Sequence, residues 1–165
     1  PEMEGYLVSG MGVPTDQAQQ IVQLSEGSVT RAQELVRETN KSLSELYMAW
    51  LRIAMKGKFD EIQDWVELVT KENKEFQKLF LSFSIQKLRD SLLYALSTPQ
   101  IAGATQDEKV FQEKFSRFVN TRGIERLSRL MEDALYHVAR NANSQMVFTV
   151  LSLRIHSLLT GKVLI

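Results

Sequence analysis

The chain has 165 residues, with 20 basic against 20 acidic side chains, two histidines and no cysteine. Zero formal net charge argues against a dedicated nucleic-acid domain, which carries a basic excess, while leaving room for a local basic patch. Absence of cysteine excludes disulfides, thiolate zinc sites and thiol catalysis, and suits a cytoplasmic location.

Apolar residues recur with a period near 3.6 almost throughout, and no alternating strand pattern survives, so the expected fold class is all-α. A first helix around Met3 to Ser9 ends at Gly10-Met11-Gly12. Pro14 opens a second, with Ala18, Ile21 and Val22 on its apolar face. In Ser25-Glu26-Gly27-Ser28-Val29-Thr30-Arg31-Ala32, Gly27 suits the left-handed position that closes a helix, and Ser28 suits the cap of a third helix carrying Ala32, Leu35 and Val36. Thr39-Asn40-Lys41-Ser42 reads as a linker. The expected division is therefore residues 1–40, a short three-helix unit, and residues 41–165, a helical bundle.

In the second unit, Ser42 or Ser44 is expected to cap a helix with Leu43, Leu46, Tyr47, Trp50, Leu51 and Ala54 inside, ended by Gly57. A helix from about Asp60 and a long one from Asn73 to Leu96 follow. Thr98-Pro99-Gln100 through Gln106 reads as an irregular loop. Asp107 is expected to cap the next helix, with Phe111, Phe115 and Phe118 on its stripe. A helix from Thr121 to Arg140 leads to Asn141-Ala142-Asn143, where Asn143 or Ser144 caps a last helix ending near Thr160. That helix is apolar on nearly all sides, so it is either central to the bundle or buried against another chain, and Met146, Phe148, Leu151, Ile155 and Leu158 are candidate interface residues. The chain begins at Pro1, already in a helical segment, and reads as the C-terminal part of a longer protein.

Catalytic constellations are scarce. His137 and His156 lack partners at metal-site spacing, so no metal is expected. Glu132-Asp133, near Arg126, Arg129 and Arg140, reads as surface ion pairing. Glu61, Asp64, Glu67 and Glu72 with Lys71 and Lys74 read as a charged helix face. Arg122, Arg126 and Arg129 share one face, read as solvated and paired with Glu125, Glu132 and Asp133, with a subunit or DNA-proximal patch as the alternative. No phosphate loop, dinucleotide motif or nucleophile elbow is present. No cofactor, no small-molecule substrate and no membrane contact are expected. Enzymatic activity is not expected of this part of the protein.

The order of these elements resembles the lid and collar of bacterial DNA polymerase III clamp-loader subunits. The resemblance rests on Gly5-Tyr6-Leu7, Gly12-Val13-Pro14, Ala18, Ile21, Leu24-Ser25-Glu26-Gly27-Ser28 and Arg31-Ala32. At the other end it rests on Val138-Ala139-Arg140-Asn141-Ala142-Asn143 with Phe148, Leu151 and Leu153. It implies a short three-helix AAA+ lid followed by a collar domain, with the AAA+ core lying upstream. In the family's ATP-binding gamma/tau subunit the lid motif is G-S-x-R-D-A, whose arginine points at the nucleotide. Here that fourth position is Thr30 and Arg31 stands fifth, a rotation of about 100° along a helix. The spacing resembles the delta-prime subunit, which does not drive ATP hydrolysis. The implied role is assembly of the pentameric loader with gamma/tau and delta through the collar, and loading of the sliding clamp on primed DNA by the full complex. Two alternatives stay open: a gamma/tau subunit with Arg31 acting on ATP, and an all-helical interaction adaptor.

Overall fold

The computed structural model describes residues 2–95 and 105–161, excluding the side chains of residues 94, 95 and 118. Eight α-helices account for nearly all of them: α1 Glu2–Met11, α2 Thr15–Leu24, α3 Val29–Lys56, α4 Phe59–Thr70, α5 Lys74–Ala95, α6 Gln106–Phe118, α7 Thr121–Ala139 and α8 Ser144–Thr160. No strand occurs among the described residues, as the 3.6-residue periodicity predicts. Two compact units divide the chain, Pro1–Glu45 and Leu46–Ile165, with the division inside α3.

The first unit packs Leu7, Val13, Ala18, Ile21, Ala32 and Val36 into one aliphatic core. Gly12 ends α1 with φ +67°, and the Val13 N–H returns to the Leu7 carbonyl at 3.0 Å. Pro14 stands at the N-cap of α2, one step before the first helical residue, and its carbonyl accepts from the Ala18 N–H at 2.8 Å.

Thr39-Asn40-Lys41-Ser42, expected as a linker, is helix instead. The four residues include no glycine or proline to break the backbone ladder. The Thr39 hydroxyl donates to the Leu35 carbonyl at 2.9 Å, so this polar side chain is satisfied within the helix. The apolar positions also keep phase: Ala32, Val36, Leu43, Tyr47, Trp50, Leu51 and Ala54 are all buried. The two helices expected on either side are one, so Ser42 and Ser44 lie inside a helix and not at the start of one.

The second unit is built on aromatics. Trp50 of α3 and Trp65 of α4 stack at 4.8 Å between centroids and 3° between planes. Phe80 of α5 lies 5.4 Å from Trp50, and Phe148 of α8 lies 6.0 Å from Trp65. The Trp50 indole N–H donates to Ser152 Oγ at 2.8 Å, and that hydroxyl donates to the Phe148 carbonyl at 2.7 Å. Around this centre α5 lies along α7, α7 against α8, α8 against α4, and α6 against α5. Tyr47 is buried with its hydroxyl lacking a partner among the described residues. Burial pushes that phenol far above its ordinary pKa, with Asp90 adding in the same direction.

One boundary corrects the sequence reading and another adds to it. Thr105, rather than Asp107, caps α6: its hydroxyl accepts from the Glu108 N–H at 3.2 Å, while the Glu108 carboxylate accepts from the Thr105 N–H at 2.9 Å. This reciprocal pair satisfies two of the N–H groups that a helix start leaves open. Gly57 ends α3 as expected, with φ +71°, but for two reasons: a Cβ there would also stand 2.3 Å from His156 Cε1. Leu96 and most of the expected loop, from Thr98 to Ala104, lie outside the described residues, as does the side chain of Phe118.

Candidate functional site

The joint between α2 and α3 is made by four residues with distinct tasks. Ser25 is buried, and its hydroxyl donates to the Val22 carbonyl at 2.9 Å, with Met3 Sδ 3.5 Å away. Glu26 and Gly27 follow with φ of +49° and +84°. Glycine adopts such a conformation without strain, whereas Glu26 must be held there. Ser28 then caps α3, its Oγ accepting from the Arg31 N–H at 3.3 Å.

Thr30 and Arg31 are both exposed and border one shallow recess with Ser28, Glu34, Leu35 and Glu38. The one-residue offset therefore does not separate them onto different surfaces. Two carboxylates on its border make the recess unfavourable for a polyphosphate, because they add repulsion where a cradle needs attraction.

The turn between α7 and α8 uses the same elements in a different arrangement. Asn141 takes φ +59°. Its N–H donates to the Val138 carbonyl at 3.1 Å, and the Ala142 N–H donates to the His137 carbonyl at 3.1 Å, which together close α7 with a Schellman pattern. Asn143, not Ser144, is the cap of α8, with Oδ1 accepting from the Met146 N–H at 3.1 Å. Ser144 instead donates to Gln77 Oε1 at 2.5 Å. Lys74 reaches across from α5 and donates to the Ala142 carbonyl and to Ser144 Oγ, both at 2.7 Å. Lys74 is thus a clamp on this turn, not a member of a charged surface face.

The candidate interface residues of α8 fall into three environments. Phe148, Leu151 and Ile155 are buried in the core of their own unit and have no surface to offer a partner. Leu158 is half-buried. Met146 is 67% exposed. With it stands Val150, 42% exposed and four residues on, hence on the same helix face. Beside them runs a groove of about 260 Å³ between α7 and α8, lined by Leu130, Asp133, Ala134, His137, Met146, Val147, Val150, Leu151 and Arg154. The signal for this face in the sequence is the i, i+4 pair Met146 and Val150, out of phase with the core row of Phe148, Leu151 and Ile155.

The histidines have separate roles. His156 is buried, and its Nδ1–H donates to the Ala54 carbonyl at 2.7 Å, occupying a last-turn carbonyl of α3 that the helix leaves open. His137 is exposed, edge-on to Tyr136 at 5.5 Å. Arg140 lies 3.5 Å over the Tyr136 ring. Glu132 pairs with Arg89 of α5 at 3.6 Å, not with the arginines of its own helix. Arg122, Arg126 and Arg129 are exposed, and none belongs to an ion pair among the described residues. The described residues hold no cluster of three or more His, Asp or Glu suited to a metal ion, and none of their helices is long and apolar enough to cross a membrane.

Comparison with protein-family models, with curated proteins and with solved structures finds no match. The two helix joints and the α7–α8 face therefore carry the functional reading by their own chemistry.

Proposed function

We propose that this chain is the lid and collar part of a delta-prime-like subunit of a bacterial DNA polymerase III clamp loader. Its task is assembly: it joins gamma/tau and delta subunits in the cytoplasm through its second unit. Contact with the sliding clamp and primed DNA belongs to the complete loader.

The observation that carries this reading is the α7–α8 face. Met146 and Val150 place apolar surface in water beside a groove that is mostly apolar, with Asp133, His137 and Arg154 also lining it. A permanent subunit interface has such an apolar centre with few charges. The joint at Gly27 and Ser28 adds support, because a left-handed glycine followed by a capping serine is the scaffold of the family's lid. Thr30 in place of the sensing arginine, with Glu34 and Glu38 at the same recess, favours a subunit that organises over one that hydrolyses ATP.

The test is size-exclusion chromatography of the chain mixed with gamma/tau and delta collar domains. A shared peak is expected, lost on Met146→Glu with Val150→Glu. Both side chains are exposed, so the doubly substituted chain keeps its fold. Separate elution of the unsubstituted chain at micromolar concentrations overturns the proposal. Co-elution that survives the double substitution places the interface elsewhere.

A further inference from the structure

A second opening lies on another side of the larger unit, between α3 and α6. It is lined by Leu51, Arg52, Met55, Val110, Phe111, Lys114 and Phe115. Its aromatic wall is a parallel pair, with Phe111 and Phe115 centroids 5.8 Å apart and planes 13° from parallel. Val110 stands at the mouth, 41% exposed. The two polar members are both cations and both exposed. Arg52 is held over the Phe111 ring, 5.6 Å from its centroid. Among the described residues, neither Arg52 nor Lys114 belongs to an ion pair and no carboxylate lines the opening. Of the other acids of α6, Glu108 pairs with Lys87 at 3.2 Å and Glu113 with Arg117 at 3.0 Å, while Asp107 stands one turn before Val110.

We infer that this pocket receives one large apolar side chain of a partner protein, flanked in the partner's sequence by carboxylates. Size selects the first half of that statement. The cavity is about 180 Å³, below the range of roughly 300–1,000 Å³ that suits a drug-sized ligand, but ample for a single phenylalanine or leucine side chain. Charge selects the second half. An apolar floor under two exposed cations with no ion pair among the described residues attracts an acidic segment and repels a basic one, so the rim selects the partner and the pocket holds it. The guanidinium over Phe111 is already oriented by the ring, so less rotamer freedom is lost when it meets a carboxylate. The site is separate from the α7–α8 face and stands or falls independently of the assembly reading.

The probes are three capped peptides, Asp-Asp-Phe-Asp-Asp, the same with Ala at the centre, and Lys-Lys-Phe-Lys-Lys. Each is titrated into the full 165-residue chain at low ionic strength, with methyl resonances of Leu51, Met55 and Val110 as the readout. The acidic phenylalanine peptide is expected to move all three. The alanine and lysine peptides are expected to bind at least tenfold more weakly. Arg52→Glu with Lys114→Glu should weaken the acidic peptide at least tenfold, and Val110→Arg should exclude it by filling the mouth. All three substituted positions are exposed, and an unchanged thermal melt checks the fold. No methyl shift with the acidic phenylalanine peptide overturns the inference. Equal binding of the alanine peptide also overturns it, since only charge would then be recognised. Unaltered affinity after the charge reversal overturns the role of the rim.

Discussion

The two helix joints, at Gly27-Ser28 and at Asn141-Ala142-Asn143, solve the same problem with different support. Each turns the chain with a left-handed residue and restarts a helix with a side-chain oxygen as the cap. The first joint is secured within its own neighbourhood, by Ser25 below and the Ser28 cap above, and contains two successive positive-φ residues. The second has one, an asparagine, and is fastened from outside by Lys74 and Gln77 of α5. A joint can thus draw its rigidity from local chemistry or from a distant clamp. Only the first kind is written in neighbouring letters of the sequence.

Substitutions can break the parallel in graded steps. The largest effect is expected for Lys74→Met, which keeps the aliphatic stem and deprives the Ala142 carbonyl and Ser144 hydroxyl of their donor. A loss of about 2 kcal/mol is expected for the second unit. Faster hydrogen exchange at residues 141–143 would accompany it, and unchanged exchange would show the clamp to be dispensable.

Gly27→Val comes next. No atom lies within 4 Å of the added Cβ, so the cost comes from φ alone, about 1–2 kcal/mol on the first unit. Urea melts followed by exchange within each unit should show the second one unaffected.

Loss of the caps separates the joints more finely. Asn143→Ala is expected to cost about 1 kcal/mol, and Ser28→Ala closer to about 0.5 kcal/mol, because the Ser28 bond is longer, 3.3 Å against 3.1 Å. Equal losses in parallel urea melts would mean that cap geometry does not set the scale.

The smallest effects are gains. Glu26→Gly relieves a non-glycine residue at φ +49° and should stabilise the first unit by about 0.5 kcal/mol. Asn141→Gly should yield less, since asparagine tolerates the left-handed region. A larger gain at Asn141 than at Glu26 would reverse that ranking.

What was legible in the sequence follows the same division. Gly27, Ser28 and Gly57 could be placed, and the α8 cap narrowed to Asn143 or Ser144, because glycine and capping side chains act on their own backbone. The all-helical class was legible because burial repeats every turn. The continuity of α3 was hidden by its polar surface around Thr39 to Ser42, which resembles a loop in composition but not in apolar phase. The Thr105 cap was hidden because Asp107 is an equally good capping type two residues on, and only the reciprocal bonds with Glu108 decide between them. The Lys74 clamp and the seat of His156 over Gly57 depend on residues 68 to 102 positions apart, which no local pattern encodes. The apolar run of α8 fits either the bundle centre or an interface with another chain, and Phe148, Leu151 and Ile155 are core. Its exposed part, Met146 and Val150, lies on the opposite side of the helix from that core row.

The stacked indoles of Trp50 and Trp65 have one more consequence. They are the only two tryptophans of the chain, and both belong to the larger unit, while residues 1–45 contain neither tryptophan nor phenylalanine. The molecule therefore carries an internal optical label on one unit alone. Tryptophan emission and near-ultraviolet dichroism track the aromatic centre, and the single tyrosine of the first unit, Tyr6, adds little at long excitation wavelengths. A melt in which helical signal is lost before indole signal would report the aliphatic unit opening by itself.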